Sequence, residues 1–312
     1  MEKISLFARH SFNECICEGY AFLAKQLMLV VRVLMPYFTI MSLFAVVSAA
    51  YNIKLNVAVM AHEIVSLEEI LLAMLLYTVS WLLGVIAVAR MFLLFRRLTA
   101  VELPAPEDVS VTKMTMWKRS LGRTMHLAWR TLPYSVWVLI LNMPGFPIVE
   151  PFLNFVSGLS MEYKVLVCCG VVLLGIVAAV FLAPFIYTFY CRMMKPTVLP
   201  NDVETMCTFG FKEAYKKGFR HKGKILSLTV WNAFLYMIAC AVILLPAIIA
   251  TVAYLSSVES RVNFGDTALI PTAGYALMFV AGGIAVTFCA LLQVAFSASL
   301  MYLFGDIYSK EK

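Results

Sequence analysis

The chain has 312 residues, of which 62% are hydrophobic and 14% charged, with a formal net charge of +7. Soluble domains carry about 25% charged residues. There is too little polar side chain here to cover a soluble globule of this size, so the composition excludes that class and predicts an integral membrane protein.

A bilayer span takes roughly 20 mostly apolar residues. Six runs meet that demand: 33–51, 70–95, 131–149, 165–190, 225–255 and 269–304. About 30 residues, including Lys25 and Arg32, precede the first run. That is long for a cleavable leader, so the run reads as an uncleaved signal anchor. The second run holds Arg90, just before the interfacial pair Arg96–Arg97. A charge at mid-depth costs at least about 2.5 kcal/mol, which makes Arg90 a candidate functional residue. Snorkelling toward the headgroups is its structural alternative. The third run is broken by Asn142, Pro144, Gly145 and Pro147. Asn142 and, in the sixth run, Gln293 are the other candidate intramembrane polar residues, suited to interhelical hydrogen bonds.

Small residues that let helices approach closely lie in the fourth run (Gly170, Gly175, Ala178, Ala179, Ala183) and the sixth (Ala281, Gly282, Gly283, Ala285, Ala290). Pro184 and Pro246 are expected to kink the fourth and fifth helices. The fifth and sixth runs exceed one bilayer thickness and must tilt or project.

Lys and Arg gather on the cytoplasmic side of inserted helices. With both termini inside, the outer loops hold three basic residues (Lys54, Lys164, Arg261) and seven acids. The inner side then holds 22 basic and 11 acidic residues. The short loops and the lack of a leader or organelle signal favour a bacterial inner (plasma) membrane. The cysteines avoid the outer loops, so no disulfide framework is expected.

The chain also repeats. Pro106–Glu107–Asp108–Val109 aligns with Pro200–Asn201–Asp202–Val203; without a gap, Trp117 then meets Phe211, Arg123 meets Lys217, Arg130 meets Lys224 and Trp137 meets Trp231. The N-terminal segment is a worn third copy, with Lys25 and Arg32 at the same spacing and Pro36–Tyr37 near the place of Pro133–Tyr134. The expected fold is therefore a single all-α transmembrane domain over 1–312. It has six transmembrane helices in three repeats, about 5–100, 104–196 and 198–308, each an amphipathic interfacial helix plus a transmembrane helical hairpin. Asp108 and Asp202 suit helix N-caps. Gly218, Gly223 and Pro133 suggest a bend between surface helix and span.

Around FGFKEAYKKGFRHKGK, residues 209–224, the preceding Cys207 and then Phe211, Tyr215, Gly218 and Phe219 fall at three- and four-residue spacing, with Lys212, Lys216, Lys217 and Arg220 on other faces. An aromatic stripe flanked by lysines is the pattern of a helix in the headgroup plane. Lys25, Arg32, Arg123, Arg130, Lys212, Lys216, Lys217, Arg220 and Lys224 are thus candidate lipid-interface residues. The expected partners are anionic membrane lipids and a partner protein. Nucleic acid is not expected, because the positive-inside rule already accounts for the basic stretches.

His62–Glu63 lacks the second histidine of a zinc-protease motif, since residue 66 is Ser66. No phosphate-binding loop, nucleophile elbow or dinucleotide fingerprint is present, and the acids sit at surfaces. The expectation is a non-enzymatic polytopic membrane protein without cofactor or metal. A transporter or channel for a small solute, with Arg90 near the pathway, is the alternative.

Overall fold

The computed structural model describes residues 11–60, 66–98, 113–141, 161–194, 210–264 and 272–310. All seven elements among them are helices: α1 (Phe12–Met60), α2 (Leu67–Leu98), α3 (Lys113–Leu141), α4 (Met161–Met194), α5 (Phe211–Arg220), α6 (Lys222–Phe264) and α7 (Thr272–Lys310). Four of these contain stretches long and apolar enough to cross a membrane: Phe12–Leu55, Leu67–Arg96, Lys222–Ser257 and Met278–Ile307. The chain is an all-α protein of membrane type. The described part of the third apolar run lies on α3 and the fourth run on α4, where one shorter apolar stretch, Val180–Met194, is found.

Local chemistry starts the helices. Ser11 and Glu14 exchange side-chain-to-backbone bonds at the head of α1 (2.6 and 3.4 Å). Ser66 and Glu69 do the same for α2 (3.3 Å each way). Each is a capping box, which satisfies two amides that the helix itself leaves unpaired. Glu69 also bonds Lys54 of α1 at 3.1 Å. The 49 residues of α1 span about 74 Å at helical rise, more than twice the roughly 30 Å hydrocarbon core.

The long helices close a ring in chain order. α1 packs on α2, α2 on α3, α3 on α4, α4 on α6, α6 on α7, and α7 returns to α1 in the largest interface. The core lies toward one end. There the start of α1, the end of α2, the middle of α3, the end of α4, the start of α6 and the end of α7 meet. Phe22 packs on Phe95 at 5.3 Å, Phe92 on Tyr190 at 5.3 Å and Tyr187 on Phe304 at 5.4 Å. The first two are edge-to-face, an arrangement that adds about 0.5–1.5 kcal/mol per pair beyond its area. Toward the other end α6 exposes Val242, Leu245, Ile248, Ile249 and Val252.

The basic stretch is a helix of its own, α5, set off from α6 by a turn at His221, between Gly218 and Gly223 where a bend was expected. The His221 amide donates back to Lys217 O (3.3 Å) and Gly218 O (3.2 Å). The bend expected at Pro133 does not occur: α3 runs unbroken through it, as α1 does through Pro36. Around Pro133, hydroxyls bond nearby carbonyls: Thr131 donates to Leu127 O and Ala128 O (2.9 Å each), and Ser135 to Leu132 O (3.1 Å).

α5 begins after Gly210, which makes no side-chain cap. Asp108, Asp202 and Cys207 lie outside the described residues. Of the small residues in the apolar runs, Gly170 and Gly283 face no neighbour within 4 Å of an added Cβ. Ala183, Ala285 and Ala290 are buried. The closest approaches are made instead by Gly19 against Ser299 and Gly218 against Pro184.

Candidate functional site

Charged and polar side chains concentrate where the core is. α5 docks on α4 through its two small buried residues, Ala214 and Gly218. A Cβ on Gly218 would lie 3.0 Å from Tyr187 Cβ and 3.1 Å from both Cα and O of Pro184. The aromatic stripe faces α4 as well. Phe185 meets Tyr215 at 5.1 Å and Phe211 at 6.0 Å, Phe181 meets Phe219 at 6.3 Å, and the Tyr215 hydroxyl donates to Phe181 O at 3.2 Å. Phe211 and Phe219 thus have a protein partner as well as an outward surface. Lys212, Glu213, Lys216 and Arg220 are exposed on the far side, while Lys217 is half-buried.

Two charges treated as surface groups are buried. Arg96, read as half of an interfacial pair, is 1% exposed. Its Nε donates to Met193 O at 2.7 Å, and Nη2 donates to the same oxygen. Met193 is in the last turn of α4, where carbonyls lack helical partners and the dipole favours a cation. Arg96 therefore caps α4. Asp306 is also 1% exposed and lies 3.8 Å from Lys224 Nζ. This corrects the expectation that acids stay at surfaces. It also gives Lys224 a partner within the protein, beside the start of α6. A third buried group was missed altogether. Asn232 is fully buried in α6, donates to Phe296 O at 3.2 Å and accepts from the Tyr20 hydroxyl at 3.4 Å.

A recurring pair emerges between hairpin partners. The Arg90 guanidinium of α2 lies over the Tyr37 ring of α1 at 5.6 Å. The Arg192 guanidinium of α4 lies over the Tyr134 ring of α3 at 5.9 Å. Both tyrosines directly follow a helix proline. Cation–π attraction acts within about 6 Å of the ring centre. Arg90 is half-buried and also donates to Thr124 Oγ1 at 3.2 Å, so it is engaged by two neighbouring helices. Arg192 is exposed, and the Tyr134 ring beneath it is held edge-on by Phe189 at 5.1 Å. The half-buried Arg130 sits one helical turn before Tyr134. Burial, and then the positive charge of Arg192, pull its pKa below the ordinary arginine value.

Of the remaining candidates, Lys25 and Arg32 are exposed on α1, Arg123 is half-buried on α3 and Gln293 is half-buried on α7. Asn142 lies outside the described residues. An apolar crevice between α4, α6 and α7 is lined by Ile186, Tyr190, Ile225, Leu300 and Ile307 among others. Among the described residues, no three His, Cys, Asp or Glu side chains group as a metal would need. The chain matches no family model, no curated protein and no solved structure.

Proposed function

We propose that this chain is a non-enzymatic membrane protein whose basic end binds anionic lipid headgroups, with α5 as the element that meets them. The observation that supports the reading is how α5 is mounted. Its small residues dock on α4 and leave Lys212, Lys216 and Arg220 exposed together. Each basic residue near an anionic leaflet contributes about 1 kcal/mol, so three on one rigidly held helix give a real preference.

We place six spans in three hairpin units, with both termini on the cytoplasmic side of a bacterial inner membrane. The Arg-over-Tyr pair recurring in the first two hairpins supports the repeat. A solute path beside Arg90 has less support, because Thr124 and Tyr37 already engage its guanidinium.

The test uses quenching of the chain's tryptophans, among them the exposed Trp231, by brominated lipids in reconstituted vesicles. The native chain is expected to prefer brominated anionic over zwitterionic lipid. The variant Lys212→Glu/Lys216→Glu/Arg220→Glu is expected to lose that preference, and an unchanged preference refutes the proposal.

A further inference from the structure

Arg90 and Arg192 use the same device in different surroundings, the first half-buried and the second exposed. Arg90 has Thr124 as a hydrogen-bond acceptor. Arg192 is exposed, and the Tyr134 hydroxyl on the ring it covers is buried without a hydrogen-bond partner among the described residues. Buried polar atoms are nearly always paired, so an orphan calls for an explanation. Arg130 lies one turn away on the same face of α3, bringing a second positive charge toward the first.

Arg192 lies over the Tyr134 ring at 5.9 Å, and its charge is felt at Arg130, so the α3–α4 seam offers guanidinium and hydroxyl donors of the kind a tetrahedral oxyanion takes up. Arginine forks pair with phosphate oxygens bidentately. We infer that Arg130, Arg192 and Tyr134 form a discrete phosphate-binding site, taking the phosphate of a lipid headgroup or of a soluble ester. The exposed Arg192 swings from the ring to admit it. The inference deepens the proposed function by naming one headgroup site, which is separate from α5.

The test uses the full chain purified in mild detergent. Its thermal midpoint is followed against short-chain phosphatidic acid, a zwitterionic lipid of the same length, and inorganic phosphate. A ligand that binds only the folded state raises the midpoint with concentration. Phosphatidic acid is expected to do so for the native chain, and Arg130→Gln and Arg192→Gln each to weaken the apparent affinity about tenfold or more. Tyr134→Phe should weaken it severalfold, and Arg192→Lys less than Arg192→Gln.

Without ligand, Arg192→Gln should melt close to the native chain, because relief of the like-charge repulsion on Arg130 offsets the lost contact with the Tyr134 ring. A clear fall there marks a structural role and overturns the site. If inorganic phosphate alone reproduces the shift with the same arginine dependence, the site stands and its ligand is soluble. A lipid effect lost in the α5 triple variant but retained in both arginine variants overturns this site and leaves the α5 reading standing. The reverse pattern supports the site at the expense of α5. No phosphate-dependent shift in the native chain overturns it.

Discussion

Replacing Gly19 with Ala should open the seam that closes the ring. A Cβ at Gly19 would lie 2.0 Å from Ser299 Oγ, 2.6 Å from Ser299 N and 2.8 Å from Ser299 Cα. Non-bonded heavy atoms settle at about 3.5–4.0 Å. The hydroxyl can rotate away, but the backbone N and Cα cannot, so α1 and α7 must part by about 1 Å. Overpacking of this kind costs about 1–3 kcal/mol. The better helix propensity of Ala over Gly offsets about 1 kcal/mol of that. Gly122 on α3 is the internal contrast, since it is exposed with nothing within 4 Å of an added Cβ. Gly122→Ala should therefore gain up to about 1 kcal/mol.

The assay is unfolding of the purified chain in detergent, by heat or by rising SDS fraction. Gly19→Ala should unfold earlier than the native chain and Gly122→Ala slightly later. Adding Ser299→Ala to Gly19→Ala removes only the hydroxyl and should not restore native stability. Native-like stability of Gly19→Ala, or full rescue by Ser299→Ala, would refute the backbone-contact argument.

Arg96→Met removes the cation from the end of α4. Charge-assisted hydrogen bonds contribute about 1.5–3 kcal/mol, so a net loss of about 1–3 kcal/mol and faster amide exchange in the last turn of α4 are expected. Arg96→Lys should recover only part, because an ammonium lacks the planar fork. Asn232→Leu should cost about 1 kcal/mol in the same unfolding assay, in line with interhelical hydrogen bonds in membranes. Gly218→Ala pushes a Cβ against Pro184 backbone at 3.1 Å. It should lift α5 from α4, seen as severalfold faster tryptic cleavage at Lys212 and Lys216 with little change in the unfolding midpoint of the bundle.

The helical membrane character was legible because hydrocarbon imposes a demand that composition alone reveals: long runs with few charges and every backbone group satisfied within its own helix. The basic end was legible for a related reason. Charge bias along the chain collects at one end once the helices alternate, and the contacts of Phe22 with Phe95 and Tyr187 with Phe304 bring those segments together.

What did not show was which charges face inward. Arg96 and Arg97 look alike in a row, yet Arg96 meets the last turn of α4, a partner about 100 positions away that no local pattern announces. Asp306 follows a long apolar run and looks like its exposed boundary until α6 arrives beside it. Asn232 has a signal that could have been used, a lone amide inside an apolar run, which is costly unless a second helix supplies partners. Glycines misled for the opposite reason. Gly170 and Gly283 advertise close packing by type alone, whereas Gly19 and Gly218 lie outside the apolar runs and make the tightest contacts.

The return of α7 to α1 sets an order of events during synthesis. Ser42 of α1 bonds Thr287 of α7 at 2.7 Å across 245 positions. At about 5–20 residues per second, some 12–50 s separate the emergence of those two side chains from the ribosome. For that interval α1 holds one face of the largest helix–helix interface, including the buried hydroxyl of Ser42, with no matching helix yet made. The helix that closes the ring is made well after the one it closes on, so a chain arrested before α7 displays an unfinished polar stripe that a membrane protease would recognise as incomplete.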